Sequence, residues 1–367
     1  MKINLDKKVF LKNLQLINKV LKVDSRKSPV SAFELNTKKE KIVLETSNSL
    51  AELKLYQNVK YLSDFSLKKF LIPIDNLIEY LRFLPQNDVL LEFKDKKLYI
   101  SQGSSHAQIG LINDGEQVVT KDADLNPVLK LDSDIIENID KVALSVSSDD
   151  SRPILTCVLM EKNKKDKLRM VGTDGYRLSV FDFNNSYNLD QQVLIPAKLL
   201  SLVLHNVPVD DVQLSLDLSA QKVLFYGKKY QFGVRVVSGD FPPYQKIITE
   251  NYITEAEVDR QQFLSAVDQL SVFSRQAANT LILKISDKEI LLKTKQNNLG
   301  QGEITVPAKI EGDAVEIGFN FRYLQEFLRT VKEEVITLRF NGSLAPAAIG
   351  SGQDSFKYIV MPVKMDQ

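Results

Sequence analysis

A single cysteine, Cys157, in 367 residues excludes an intrachain disulfide and any Cys-x-x-Cys metal or redox pair. It lies within the apolar run Ile154-Leu-Thr-Cys-Val-Leu-Met160 and reads as a buried core thiol rather than a nucleophile. Two histidines, His106 and His205, are too few and too far apart for a His-x-x-x-His zinc helix. Neither a Gly-x-x-x-x-Gly-Lys-Ser/Thr phosphate loop nor a Gly-x-Ser-x-Gly elbow occurs. No stretch approaches about 18 uninterrupted apolar residues, and the start, Met1 to Lys8, lacks the apolar run of a signal peptide; the expected location is the cytoplasm. Charge of one sign is missing too: 48 basic against 47 acidic residues leave +1. With no global positive field, a nucleic-acid role would need charge sorted onto one face. The adjacent acids Asp149-Asp150, Asp210-Asp211 and Glu333-Glu334 sit beside turns, where solvated charge is the ordinary explanation.

What is present is repetition. The length implies two or three domains, and 44% hydrophobic with 26% charged residues is ordinary globular composition. Three segments resemble one another: Phe70-Leu-Ile-Pro to Leu84-Pro85, Val193-Leu-Ile-Pro to Val207-Pro208, and Ile317-Gly-Phe-Asn to Val331-Lys332. Pro73 and Pro196 are 123 positions apart, as are Pro85 and Pro208, and Asn320 follows Pro196 by 124. Each segment has apolar residues at helical spacing and is followed by an alternating strand pattern: Val89, Leu91, Phe93; Val212, Leu214, Leu216; Ile336, Leu338, Phe340. A further helix is expected near the start of each copy, over 6–22, 134–145 and 259–273. In the first of these, Phe10, Leu14, Ile17 and Leu21 form one apolar stripe. The reading is α+β, with three similar domains of two helices and antiparallel sheets each, over 1–122, 123–250 and 251–367. Chance likeness among amphipathic helices does not explain helix, proline and strand positions keeping register together.

The repeat decides how to read Val171-Gly-Thr-Asp-Gly-Tyr-Arg-Leu178. Asp174 aligns with Asn48, 126 positions earlier, and with Asn297 in the third copy. A carboxylate replaced by amides in sister copies behaves as a turn residue, since Asp and Asn both bond nearby backbone and tolerate left-handed geometry. Catalysis at Asp174 would also need a base, nucleophile or metal that these motifs do not supply, so neither an enzyme nor a cofactor is expected.

The motifs Ser151-Arg-Pro-Ile-Leu-Thr-Cys157, Gly172-Thr-Asp-Gly-Tyr-Arg-Leu-Ser179, Gly239-Asp-Phe-Pro-Pro-Tyr244, Phe319-Asn-Phe-Arg-Tyr-Leu324 and Tyr358-Ile-Val-Met-Pro-Val-Lys-Met365 together resemble the β subunit of bacterial DNA polymerase III, the sliding clamp. The resemblance covers essentially the whole chain. It implies the DNA clamp fold: a head-to-tail homodimer in which each chain forms half of a closed ring, with helices lining the hole. Such a ring encircles double-stranded DNA without reading sequence and tethers the replicative polymerase, without catalysis or a cofactor.

Sliding requires phosphate contacts without base readout. On the first helix Lys8, Lys12, Gln15, Lys19 and Lys22 recur at spacings of four and three, opposite the apolar stripe. A surface helix shows this pattern by default; the resemblance is what turns it toward DNA. By family position Arg26, Lys198 and Arg322 join this set, with His205 beside them. Ile74-Asp-Asn76 stands where basic residues are expected, and the chain is less acidic than the family norm. Ring closure is implied to pair an edge of the first domain, at Ala107 and Ile109, with the third domain near Val272 and Phe273.

The resemblance further implies a cleft that receives short peptides with aliphatic and aromatic anchors, borne by polymerase, clamp loader and repair proteins. Its wall carries over to Arg152, Leu155, Thr173, Gly175, Tyr176, Arg177, Leu178, Pro242, Lys246, Ile247, Asn320, Tyr323, Leu344, Pro346, Ile359, Met361, Pro362, Val363, Lys364 and Met365. Apolar walls with a few polar groups suit peptides, and methionine adapts to differing side chains. Val363 fits equally well as the inward face of a terminal strand. Tyr176 stands where His is frequent and Lys364 where Arg is frequent, and Asp366-Gln367 extend past the usual terminus. Two alternatives remain open at this point: a three-copy peptide scaffold that does not encircle DNA, and a hydrolase built on Asp174.

Overall fold

The computed structural model of the chain describes residues 1–23, 32–38, 41–62, 69–85, 88–112, 127–186, 191–206, 212–217, 221–249, 251–275, 278–296, 300–352 and 355–364. Among these are six α-helices: α1 (Lys7–Val23), α2 (Asp75–Phe83), α3 (Ser133–Ala143), α4 (Ala197–Asn206), α5 (Arg260–Ser274) and α6 (Phe321–Thr330). They fall two to a copy, as the repeat requires. Every paired strand is antiparallel, which makes the chain an α+β protein.

The first helix of each copy starts where the sequence puts an acid. Asp6 Oδ1 accepts from Val9 N at 3.0 Å, Asp132 Oδ1 from Ile135 N at 3.1 Å, and Asp259 Oδ1 from Gln262 N at 2.8 Å. Each carboxylate satisfies an orphan amide and suits the positive end of the helix dipole. The three caps lie 126 and 127 positions apart, so the repeat extends to the signal that starts these helices.

Packing follows the periodicity. On α1, Phe10, Leu14, Leu16, Ile17 and Val20 are buried; on α6, Phe321, Leu324, Phe327 and Leu328 are. Each such side chain contributes about 2 kcal/mol on burial. Leu21 of the expected stripe is only half-buried, while Lys7 is buried and donates from Nζ to the Leu84 carbonyl at 2.6 Å, just past the end of α2. That bond satisfies a carbonyl the helix leaves over and places the ammonium at the negative end of its dipole.

The chain forms two compact units, one of residues 1–136 with 198–236 and one of 137–197 with 237–367, so the second copy contributes to both. The first unit holds a five-stranded sheet, ending at Ser105–Gly110, and an eight-stranded sheet in which Ala51–Asn58 pairs with Tyr230–Arg235. The second holds a twelve-stranded array in which Arg177–Ser186 pairs with Phe356–Val360. These two seams between copies share one register. Leu55 opposes Tyr230 in the first, and adding 126 to both positions gives Phe181 opposite Phe356 in the second.

Candidate functional site

Asp174 is a turn residue. Its Oδ1 accepts from Tyr176 N at 2.8 Å and Arg177 N at 3.0 Å; Asn48 Oδ1 makes the same two bonds, to Leu50 N at 2.9 Å and Ala51 N at 2.8 Å. Gly175, at φ +93°, takes the left-handed position that a side chain would strain. Asn297 lies outside the described residues. What the second copy adds is charge: Asp174 Oδ2 accepts from Arg177 Nε at 3.1 Å.

Arg177, whose side chain is largely buried, is the centre of a charged cluster. Its Nη1 donates to Glu326 of α6, and its guanidinium stacks on the Tyr323 ring 4.5 Å away. Burial works against its charge, but Tyr358 and Glu326 outweigh burial and its pKa is raised. The Tyr358 hydroxyl, also raised because it is buried, donates to the Tyr323 carbonyl at 3.0 Å. The arginine therefore ties the turn to α6. Its spacing from Asp174 is visible in the sequence; its pairing with Glu326, 149 positions on, is not.

Beside this cluster lies one apolar floor. Cys157, Leu159, Val171, Leu178, Val180, Leu194, Tyr244 and Ile359 are buried together, with Ile154, Phe241, Ile248 and Ala348 packed against them. Of the expected wall residues, Leu178 and Ile359 belong to this floor and Thr173 is also buried; Leu155, Asn320, Tyr323, Pro346, Pro362 and Val363 are half-buried. Arg152, Gly175, Tyr176, Pro242, Lys246, Ile247, Leu344, Met361 and Lys364 are exposed, Tyr176 at 60% and Leu344 at 74%. The last segment of the chain is laced across the unit: Met361 N donates to the Tyr176 carbonyl and Val363 N to the Gly318 carbonyl, both at 2.8 Å. Asn320 caps α6, its Oδ1 accepting from Arg322 N at 3.1 Å. Met365 lies outside the described residues.

Tyr244 explains how the stretch with Pro242, Lys246 and Ile247 is held. Its ring is 2% exposed, and its hydroxyl donates to Glu161 and receives Arg169 Nη1 at 3.5 Å. Arg169 in turn forks onto Asp182 with two bonds of 2.7 Å. Burial raises the Tyr244 pKa. In Asp182 burial opposes ionisation, but Arg169 and Asn163 outweigh it and the carboxyl sits below its usual range. No short motif announces this network, because its members are spread over 83 positions.

On α1, Lys8, Lys12, Lys19 and Lys22 are exposed and Gln15 is half-buried, all on one face. Lys19 Nζ donates to Asn206 Oδ1 of α4 at 3.3 Å, and Lys198 is exposed in the first turn of α4. Arg322 is exposed in the first turn of α6, and His205 is exposed on α4. Arg26 lies outside the described residues. Asp75 and Asn76, exposed at the start of α2, leave that helix without a basic opening. Among the described residues, no group of three or more His, Cys, Asp or Glu could hold a metal, and no helix is long and apolar enough to cross a membrane.

Two strand edges lack a neighbour among the described residues. Ser105–Gly110 pairs only with Lys97–Gln102, and its Ala107 and Ile109 are half-buried. In the other unit, Glu303 to Pro307 pair on one side only, with Glu289–Lys293. Phe273 of α5 packs there, its ring carbons 3.3 Å from where a Cβ on Gly302 would lie, and Val272 is 64% exposed.

Three family models match in chain order: DNA polymerase III beta subunit, N-terminal domain, over 1–117; central domain, over 130–243; and C-terminal domain, over 245–364. The chain is 27% identical over 305 residues to the beta sliding clamp of Synechococcus elongatus, covering 80% of this chain and 81% of that one. It is 23% identical over 295 residues to the beta sliding clamp of Staphylococcus aureus, covering 78% of each. The fold matches the crystal structure of the DNA polymerase III beta subunit of Thermotoga maritima with a TM-score of 0.90 at 22% identity, and that of the Bacillus subtilis sliding clamp with 0.88 at 20%; both cover 100% of each chain.

Proposed function

The chain belongs to the DNA polymerase III beta subunit family, and from that premise we propose that it is a DNA sliding clamp: a processivity factor that encircles duplex DNA as a head-to-tail homodimer and holds its partners by short peptides. It performs no catalysis and needs no cofactor.

The observation that carries the ring is the shared register of the two internal seams. Ala51–Asn58 of the first copy pairs with the last strand of the second, and Arg177–Ser186 of the second with the last strand of the third. Following the ladders across puts Glu303 of the third copy where the second has Val180, 123 positions earlier, in a strand whose outer side is an unpaired edge. The last strand of the first copy, Ser105–Gly110, is the other unpaired edge. Two exposed edges in one chain are a liability unless they pair, and a second copy placed head to tail closes both by the rule that built the inner seams. The hairpin pairs Lys97↔Gly110 and Lys222↔Arg235 superpose with a shift of 125. The register that follows sets Ser105 opposite Ile304 and Ala107 opposite Gly302 of the second copy.

Lys12, Lys19, Lys22 and Lys198 supply a phosphate-facing surface in the first unit, with Gln15, Arg26 and Arg322 as further contacts. The exposed rim of Tyr176, Ile247, Leu344 and Met361 over the apolar floor suits a peptide with aliphatic and aromatic anchors. The family supplies the partners: replicative polymerase, clamp loader and repair proteins. The deciding experiment is retention on nicked circular DNA after loading, followed by linearisation. A ring stays on the circle and is lost from the cut molecule; retention indifferent to cutting overturns the proposal and favours the scaffold that does not encircle DNA.

A further inference from the structure

The apolar floor does not end at Ile359. On the same face of the twelve-stranded array a row of directly opposed residues runs Leu178, Ile359, Ala348, Arg339 and Glu255, each pair read from the strand register. From Ile359 to Glu255 this row is the bottom of a groove of about 780 Å³. Its far wall is Thr249 with Asn251, Tyr252 and Ile253, close in the chain to Lys246 and Ile247. That wall is fixed in place: Asn341 Oδ1 accepts from Ile253 N at 3.0 Å, Asn341 Nδ2 donates to the Asn251 carbonyl at 2.9 Å, and the Tyr252 hydroxyl donates to the Thr249 carbonyl at 2.7 Å. The groove therefore exists before any ligand arrives, which lowers the cost of binding.

The groove changes character along its length. It is lined by Ile359, then by the small residues Ala348 and Gly350, and at its end by Arg339. Arg339 Nε is held by Glu255 Oε2 at 2.7 Å, and its side chain is 37% exposed. Its Nη1 lies 3.4 Å from where a Cβ on Gly350 would be, so the glycine keeps that side of the guanidinium clear. Nη1 and Nη2 have no acceptor among the described residues. A guanidinium oriented through Nε and presenting its remaining donors into a groove suits a carboxylate. Lys357, exposed on the same side of the strand as Ile359, adds positive charge.

We infer that this groove is a second subsite for the same partner peptides, one that takes the residues flanking the anchor and reads an Asp or Glu side chain through Arg339. The inference rests on the peptide-cleft reading above. Adjacent strands are spaced about 4.8 Å, so Arg339, two strands from Ile359, is about 10 Å away. An extended chain covers that in about three residues. The acid therefore belongs about three positions from the anchor that rests on Ile359.

The test uses synthetic peptides with one Leu-Phe anchor pair and Gly-Ser flanks, compared with versions carrying Asp three positions beyond the anchor at one end or the other, titrated by fluorescence polarisation against the full-length chain. One Asp version should bind about five- to tenfold tighter than its Gly-Ser parent, and about 0.5 M salt should remove most of the gain. In Arg339→Met the gain should vanish while the Gly-Ser peptide binds as before. Glu255→Gln, which releases the guanidinium, should enlarge the gain and keeps the test decisive if Arg339→Met folds poorly. No gain at either end, or a gain that survives both substitutions unchanged, overturns the subsite. Failure of the Gly-Ser peptide itself to bind overturns the cleft reading instead.

Discussion

Replacing Asp174 by alanine removes three bonds at once: the Oδ1 bonds to the Tyr176 and Arg177 amides and the Oδ2 bond to Arg177 Nε. The carboxylate is 13% exposed, so water replaces these partners poorly. Hydrogen bonds to a charged acceptor contribute about 1.5–3 kcal/mol each, but the three share one group and Arg177 keeps Glu326, so their sum is not additive. A local cost of about 2–4 kcal/mol follows, which by about 1.4 kcal/mol per factor of ten speeds hydrogen exchange of the Tyr176 and Arg177 amides about 30- to 1,000-fold. Asp174→Asn keeps the amide acceptor and loses only the charge on Arg177. The first copy already runs its turn on Asn48 with the same two bonds. Its exchange should rise only about fivefold, for a loss of about 1 kcal/mol. Residue-resolved exchange measured by mass spectrometry or NMR reads both. Equal acceleration in the Asn and Ala variants would refute the turn assignment, and an unchanged Ala variant would refute the structural role altogether.

The seam register predicts that Ser105→Cys with Ile304→Cys cross-links two copies under mild oxidation, since directly opposed strand residues fall within disulfide reach, whereas Ala107→Cys with Ile304→Cys does not. Non-reducing electrophoresis reads the result, and the reverse pattern means the register is wrong. Lys12→Ala, Lys19→Ala and Lys22→Ala together should lower the slope of log affinity against log salt for duplex DNA by up to about 3 without creating sequence preference; an unchanged slope removes α1 from the DNA surface. The native Cys157 should resist iodoacetamide at pH 8 and react only on unfolding, because it is fully buried and burial pushes its thiol up to about 12. Rapid labelling of the folded chain contradicts the packing of the apolar floor.

The repeat, the two helices per copy, the acidic helix starts and the turn role of Asp174 follow from local patterns that sequence displays directly: helical spacing, strand alternation, and an Asp or Asn where backbone amides need an acceptor. The expected helices 6–22 and 259–273 differ from α1 and α5 by a residue at each end, and α3 starts one residue before the expected Asp134 because Asp132 caps it. Three similar copies do not by themselves reveal that strands of the second copy serve both neighbours, so that the compact units number two. That division depends on which edges pair, a non-local choice. The same holds for the site. Tyr176 and Arg177 stand out in the sequence, but that Arg177 is consumed by Asp174, Glu326 and Tyr323, that Tyr244 anchors its segment through Glu161, and that Arg339 ends a row continuous with Ile359 are facts of packing between residues scores of positions apart. Periodicity fixes which face of an element is buried; only the assembled sheet decides which side chains that face meets.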